Sequence, residues 1–411
     1  MKKMKRMNGG MPLWAKIIVG FFGTVLGLIL AALIVIWALW HNEILTALSL
    51  KQLRPRDVYH RDGSVYSIHV KGGFYLDEFI AQGGAKTDDE LIAFITEKMA
   101  KGIIPMKLTH PQVGCASFTA RTEDGDALFA RNYDFNMTNA CIVFTEANKG
   151  RHASISTVDL QFMGIDRNRD VEGILDRIIC LAAPYATLDG INDAGVSCGV
   201  YMSYQGRTTT PTDQSTGKPD ITSTTLLRLI LDYADDLEEA VEIAKSYDLH
   251  DSAGSSYQYM VADSSGRSAI LQWVNDTVFT DNDGSQRQLV VTYSDDDAHI
   301  GEAEGKADYQ WITNFVVLPE YYETKGTAGK HGYDRYLMLK KQLGMTDGVV
   351  KDEQAAMKIL GMIGRRYWSN DDGNGCTVHS AVYNMTDKSV LWVSNENYDD
   401  PSAVFTFRFG D

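Results

Sequence analysis

The sequence predicts an α+β fold behind an N-terminal membrane helix, and three features indicate it. An uncharged apolar run, Ile17–Trp40, lies near the start of the chain. After Cys115, β-like runs alternate with glycine-containing turns. A few amphipathic helical patterns lie between those runs, the strongest near Thr225–Ser246. Strand runs with helices between them are typical of α+β proteins.

The run Ile17–Trp40 is long enough to cross a bilayer. As a helix it would extend about 36 Å, against a hydrocarbon core of roughly 30 Å. It is longer than the apolar part of a cleaved signal peptide and lacks a small-residue cleavage site, so we interpret it as an uncleaved single-pass anchor. Basic residues cluster before it, which predicts a cytoplasmic segment 1–16 and an extracytoplasmic body in the cell membrane. The alternative, a buried helix of a soluble protein, is disfavoured because the run has no polar face.

The composition indicates a globular protein and argues against one class of partner. The chain has 411 residues, of which 44% are hydrophobic, so it can bury a large core. Its formal charge of −15 argues against a nucleic-acid partner, because phosphate binding needs a basic surface. A homo-oligomer is compatible with this composition.

Neither a metal site nor a cofactor motif is evident. The chain has no CxxC, HExxH or P-loop sequence. The acidic runs Asp235–Glu239 and Ser294–Asp297 are interpreted as solvated faces or turns, and His250 and His379 as structural residues. The cysteines lack paired spacing and are Cys115, Cys141, Cys180, Cys198 and Cys376. We therefore expect no cofactor and no metal.

The segment 41–114 is predicted to have structure of its own. Thr87 and Glu90 occupy capping-box positions, apolar residues follow at helical spacing, and Gly102 is a suitable helix stop. It is therefore interpreted as a folded pro-region rather than a linker.

The stretch GCASFTARTEDGDALFARNYDF (Gly114–Phe135) predicts a β-hairpin. A two-residue turn at Asp124-Gly125 would place Asp134 opposite Cys115. Arg131 would then lie on the other face and would need a bulge to reach the thiol. On this evidence alone, a surface hairpin that happens to carry a cysteine remains an alternative.

Further motifs extend the pattern. Arg131-Asn132 follows Cys115 by sixteen residues and Asp134 by nineteen. The chain then carries LDGINDAGVSCGV (188–200), YQYMVADSSGRSAILQW (257–273), WITNF (311–315) and YDRY (333–336). In order and spacing, this set resembles the choloylglycine hydrolase family, or linear amide C-N hydrolases, of the N-terminal nucleophile superfamily. That family includes bile salt hydrolases and penicillin V acylases.

The resemblance implies a four-layer αββα sandwich over residues 115–411, preceded by the anchor 17–40 and the pro-region 41–114. It implies a cysteine amidohydrolase that cleaves a small-molecule linear amide and matures by cleavage between Gly114 and Cys115. Cys115 matches the nucleophile, Arg131 and Asp134 its hairpin partners, Asn314 an oxyanion donor and Arg335 a supporting arginine. Where bile salt hydrolases have an asparagine, this chain has Tyr201 and Met202, so a backbone N–H would have to serve at this substrate-binding position.

Two other functions remain open from the sequence. An acyltransferase on the same scaffold would pass the acyl group to an amine instead of water. A non-catalytic membrane-anchored binding protein would keep its pro-region uncut and would not need Cys115. The joint presence of Cys115 and its four partner residues disfavours this second alternative.

Overall fold

The computed structural model describes residues 11–102, 113–204, 211–274, 287–296, 309–318, 331–366 and 375–411. In these ranges the chain has a mixed α and β fold built on two large β-sheets, with helices packed against both. The helices are α1 Leu13–Ser49, α2 Leu76–Ala81, α3 Asp88–Lys98, α4 Gly173–Ile179, α5 Ser223–Tyr233, α6 Leu237–Ser246, α7 Tyr333–Gly344 and α8 Glu353–Met362.

Strands recur after Cys115 as predicted, and two strands that were not predicted lie before it. In the first half they are β1 Lys51–Arg54, β2 Val65–Val70, β3 Gly114–Thr122, β4 Ala127–Phe135, β5 Ala140–Thr145, β6 Ser154–Asp159, β7 Asp189–Asn192 and β8 Ser197–Met202. In the second half they are β9 Asp220–Thr222, β10 Asp248–His250, β11 Tyr257–Ala262, β12 Ser268–Val274, β13 Gln288–Tyr293, β14 Trp311–Ile312, β15 Val349–Val350, β16 Cys376–Asn384, β17 Ser389–Ser394 and β18 Val404–Arg408.

One sheet joins the two parts of the chain that flank residue 114. Among the described residues it has nine strands in the order β1-β2-β5-β6-β7-β8-β11-β12-β13. Its β1–β2 pair comes from the segment 41–114, and β2 pairs in parallel with β5, Val65 opposite Ala140. Helices α5 and α6 pack against this sheet. The segment before Cys115 is therefore part of the same hydrogen-bonded sheet as the body.

The second sheet carries the opening hairpin. Its described strands run in the order β14-β3-β4-β16-β17-β18, and β15 adds to β3. Helices α7 and α8 pack against it, while β3 contacts β8 of the nine-stranded sheet. The hairpin therefore has one face toward the other sheet and one face toward the helices.

Two predicted helices differ in extent from the sequence interpretation. Within the described residues, α1 is the one helix long and apolar enough to cross a membrane. It is longer than Ile17–Trp40, with non-helical backbone angles at Trp40, and it is compatible with a membrane span or a signal sequence. The helix predicted near Thr225–Ser246 is two helices, because Asp236 caps a new helix by accepting a hydrogen bond from the Glu239 N–H (2.9 Å).

The helix predicted after Thr87 is confirmed. The Thr87 hydroxyl accepts a hydrogen bond from the Glu90 N–H (3.2 Å), and the Glu90 carboxylate accepts one from the Lys86 N–H (2.7 Å). Gly102 adopts a positive φ of 70° beyond the helix. Pro105 and Pro111, whose presence in the sequence favours an extended backbone before Gly114, lie outside the described residues.

Candidate active site

The hairpin of β3 and β4 exists, but its predicted register is wrong by one residue. Cys115 lies opposite Tyr133, and Gly114 lies opposite Asp134. The loop has three residues rather than two, and it closes with Gly125 at a φ of 97°. A three-residue loop that ends in a left-handed glycine is a standard hairpin connection, and it shifts every cross-strand pair by one.

The corrected register changes which side chains share a face. Arg131 lies opposite Ser117, so Arg131 and Cys115 lie on the same face without a bulge. Asp134 lies on the other face of the sheet. The thiol therefore has the arginine, not the aspartate, as its neighbour on the face toward the nine-stranded sheet.

The Cys115 side chain is fully buried and in contact with a cation. Arg131 Nη2 lies 3.4 Å from Sγ, and the Val200 carbonyl oxygen lies 3.8 Å from it. Burial raises the pKa of the Cys115 thiol to about 11, although the neighbouring Arg131 acts to lower it. In the uncut chain the thiol is therefore protonated at neutral pH.

Arg131 is fixed by groups from the facing sheet. Its Nη2 donates to the Val200 carbonyl (2.7 Å), and its Nη1 donates to the Leu188 carbonyl. The guanidinium carbon lies 4.8 Å from the centre of the Tyr201 ring. A Cβ on Gly199 would lie 2.6 Å from Arg131 Nη1, so glycine is needed there for the arginine to fit beneath β8. Both sheets thus hold one guanidinium against the thiol.

Asp189 also belongs to this cluster, although the sequence alone does not single it out. Its Oδ2 lies 3.3 Å from Arg131 Nε, and neither side chain is exposed. It also contacts His379 Nε2 (2.9 Å) and accepts a hydrogen bond from the Tyr383 hydroxyl. Burial acts to raise the pKa of Asp189, but His379, Arg131 and these hydrogen bonds outweigh it and lower the pKa to about 2. The carboxylate is therefore charged and balances Arg131.

On the other face, polar groups lead from Asp134 to the backbone of Cys115. Arg335 Nη1 donates to Asp134 Oδ2 (2.5 Å), and Arg335 Nη2 donates to Asn314 Oδ1 (3.1 Å). Asn314 Oδ1 also accepts the Cys115 backbone N–H (2.8 Å). Thr377 donates to the second Asp134 oxygen (2.7 Å). A path of polar contacts thus connects Asp134 to the Cys115 nitrogen through Arg335 and Asn314.

Tyr201 and Met202 differ in position. The Tyr201 hydroxyl donates to Ser117 Oγ (2.6 Å), and the Tyr201 ring packs against the Arg131 guanidinium. Met202 lines a small cavity of about 20 Å³ beside the hairpin, and its carbonyl accepts a hydrogen bond from Asn314 Nδ2 (2.9 Å). The apolar walls of this cavity include Val113, Phe162, Leu188, Val200, Met202 and Tyr257.

The chain also matches a known family over part of its length. A family model described as linear amide C-N hydrolases, choloylglycine hydrolase family, matches residues 115–285. The predicted resemblance to this family is confirmed over that segment. Members of the family are hydrolases that act on linear amides. The match begins at Cys115, the first residue after the predicted cleavage point.

Solved structures give more distant likenesses. A mutant of the conjugated bile acid hydrolase from Clostridium perfringens is 13% identical, with a TM-score of 0.43 over 72% of this chain and 92% of that chain. The penicillin V acylase from Agrobacterium tumefaciens is 16% identical, with a TM-score of 0.44 over 68% and 83%. A Caenorhabditis elegans ortholog of N-acylethanolamine-hydrolyzing acid amidase is 14% identical, with a TM-score of 0.38 over 66% and 93%. No curated protein sequence matches the chain.

Asn192, within the LDGINDAGVSCGV stretch, and His250 have structural contacts. Asn192 is a turn residue, since its Oδ1 accepts the N–H groups of Ala194 (3.1 Å) and Val196 (2.9 Å). His250 lies between Asp213 and Asp220, at 2.6 and 2.8 Å. Across the described ranges, no group of three or more His, Cys, Asp or Glu side chains could hold a metal ion.

Proposed function

We propose that this chain is a membrane-anchored cysteine amidohydrolase of linear amides that matures by cleavage of its Gly114–Cys115 bond. One observation carries the proposal. Both reactive groups of Cys115 are held in the uncut chain, the thiol by Arg131 at 3.4 Å and the backbone nitrogen by Asn314 at 2.8 Å. An N-terminal nucleophile needs both groups in place as soon as its peptide bond is cut.

Maturation begins with attack of the Cys115 sulfur on the Gly114 carbonyl carbon. A C–S bond forms, the Gly114–Cys115 C–N bond breaks, and the proton lost by the thiol is balanced by the one that the freed nitrogen takes up. Water then hydrolyses the thioester, which leaves a carboxylate on Gly114 and a free α-amine on Cys115. An α-amine has an ordinary pKa of about 7.7 to 8.0, so it can serve as a base at neutral pH.

The mature site repeats the same chemistry on a substrate. The α-amine takes the thiol proton, the sulfur attacks the amide carbon, and the amine returns the proton to the departing nitrogen. Water then frees the acyl group as an acid. Arg131 favours the thiolate, and the chain of Asp134, Arg335 and Asn314 orients the amine.

The oxyanion and the acyl group also have candidate sites. An asparagine amide has two N–H donors, and Asn314 uses one on the Met202 carbonyl, which leaves the other to serve the oxyanion. Val113 forms part of the wall of the cavity beside the hairpin, on the acyl side of the bond to be cut. Departure of Val113 after cleavage would open this cavity to an apolar acyl group.

The proposed organisation is a cytoplasmic segment 1–16, an anchor 17–40, a pro-region 41–114 and an extracytoplasmic catalytic domain 115–411. The packing of α5 and α6 on one sheet and of α7 and α8 on the other, with β3 against β8 between them, supports a four-layer αββα sandwich. Because β2 pairs with β5 along six residues, the pro-region would remain bound after cleavage. The mature enzyme would then be two chains tethered to the membrane.

A panel of N-acyl amides tests the activity. Wild-type protein should release free acid, and acid quenching during turnover should trap an acyl mass on the Cys115 peptide. Cys115→Ser should lose that adduct, whereas Cys180→Ala, another buried free cysteine outside the site, should retain activity. Formation of a new amide from an added amine, without free acid, would instead indicate the acyltransferase. Absence of both products across the panel would contradict the proposal.

A further inference from the structure

An apolar groove lies beside α1, at the C-terminal end of the uncharged run Ile17–Trp40. It encloses about 460 Å³ between the second half of α1 and the short helix α4, and its accessible wall is almost entirely apolar. Ile36 and Trp40 form one side of it, and Ile174 and Ile178 form the other. One wall of the groove therefore belongs to the segment proposed to span the bilayer.

The surface around the groove is also apolar. Ile174 and Leu175 of α4 are 62% and 59% exposed, and Leu48 of α1 is 68% exposed. Large exposed apolar side chains are costly in water when they lie together, and such patches mark contacts with proteins or membranes. This patch continues the apolar surface of α1 past Trp40 and onto the folded body.

The charged groups at the groove are engaged with protein partners. Arg177 Nη1 donates to the carbonyls of Ala47 (2.7 Å) and Leu50 (3.1 Å), and so fastens α4 to the end of α1. Lys101 donates to the Tyr75 hydroxyl (2.6 Å) and lies 3.6 Å from Glu43. Because these charged groups are already paired with protein groups, a molecule in the groove would mainly contact apolar side chains.

We propose that α4 and the end of α1 lie on the outer surface of the bilayer, with the groove occupied by the acyl chain of a membrane lipid. This inference rests on the proposed membrane anchor, though not on the proposed catalysis. Continuity of the groove with Ile36 and Trp40 favours a lipid, because lipid chains already surround that part of α1. The body would thereby be held at a fixed orientation instead of swinging on a flexible tether.

Three added cysteines test the arrangement in full-length protein. The native cysteines are buried, so a surface cysteine can be labelled selectively, and Cys115→Ala in the background removes the proposed nucleophile. A polarity-sensitive fluorophore is attached at Leu28→Cys, Ile174→Cys or Met345→Cys, and each protein is reconstituted in phosphatidylcholine vesicles. Lipids with a nitroxide near the top of the acyl chain act as quencher. Met345 is the control position. Its side chain is 62% exposed, the same fraction as that of Ile174, but it follows α7, which packs on the other sheet.

We expect quenching at positions 28 and 174, with at least threefold stronger quenching at 174 than at 345. Quenching at 28 with equal, weak quenching at 174 and 345 would overturn the groove assignment while retaining the anchor. No quenching at 28 would overturn both. Cross-linking of two copies through position 174, without quenching there, would assign the groove to a second copy of the chain and overturn the lipid.

Discussion

Arg131 and Asp189 form an ion pair that is fully buried between the two sheets, with Nε and Oδ2 3.3 Å apart. The pair links β4, the second strand of the hairpin, to β7, the strand with the sequence DGIN. It provides a negative charge beside Arg131, the cation that lies 3.4 Å from the Cys115 thiol. The site is therefore built from a cysteine, an arginine and a carboxylate held by His379 and Tyr383.

Replacing this carboxylate should cost both stability and maturation. Asp189→Asn leaves Arg131 charged and buried without a counterion, and breaking such a pair typically costs about 3–5 kcal/mol of folding free energy. Chemical denaturation measures that cost, and gel analysis measures cleavage. Tyr383→Phe is the matched control, since it removes one hydrogen bond to Asp189 but leaves the ion pair. If Asp189→Asn unfolds at the same denaturant concentration as the wild type, the ion pair contributes nothing to folding stability.

Arg335 should act as a positioning residue. Arg335→Lys keeps the charge but cannot contact both Asp134 Oδ2 and Asn314 Oδ1 with a planar fork. We expect cleavage to slow by tenfold or more and, in protein that does mature, kcat to fall with little change in KM. Thermal unfolding in parallel separates this effect from misfolding. A rise in KM alone would indicate that Arg335 binds substrate instead.

Maturation should accelerate as the pH rises. The pKa of the Cys115 thiol is raised to about 11 in the uncut chain, so its thiolate fraction increases about tenfold per pH unit at every lower pH. If the thiolate attacks Gly114, the cleavage rate should follow that slope between pH 6 and 9. Uncut protein from a short cell-free synthesis, shifted to each pH, provides the rate. A rate that does not change with pH would exclude the thiolate as the attacking species.

The cleaved pro-region should stay with the body. Besides the β2–β5 pairing, Ser64 accepts the Ala140 N–H with its carbonyl (3.0 Å) and donates its own N–H to Asn139 Oδ1 (3.0 Å). Affinity purification through a tag on the N-terminus should therefore recover both fragments in equal amounts from mild detergent. Denaturation in about 8 M urea should separate them. Recovery of the catalytic fragment in the soluble fraction would disprove tethering.

Local signals were readable from the sequence where a few neighbouring residues decide the structure. The Thr87 cap and the long apolar run are of this kind. The hairpin register was not, because a loop of two or three residues fits the same letters. The predicted two-residue turn would need a positive φ at both Asp124 and Gly125, and of the two only Gly125 adopts one. The break before α6 had a signal in Asp236 and Glu239, which we interpreted as a solvated acidic face.

Asp189 was beyond sequence reasoning for another reason. Its partners Arg131, His379 and Tyr383 come from distant strands, and only the stacking of two sheets brings them together. Asp189 lies in the LDGINDAGVSCGV stretch that carries the family resemblance, but the sequence did not indicate what this residue does. Arg335 and Asn314 were found through the resemblance, and the structure adds that they contact each other.

We propose that Cys115 becomes an N-terminal residue by its own chemistry. This is tested by intact mass and N-terminal sequencing of purified wild type, Cys115→Ala and Cys180→Ala. We expect a new N-terminus at Cys115 in the wild type and in Cys180→Ala, and an uncut chain in Cys115→Ala. An uncut wild-type chain, or cleavage at the same bond in Cys115→Ala, would contradict it.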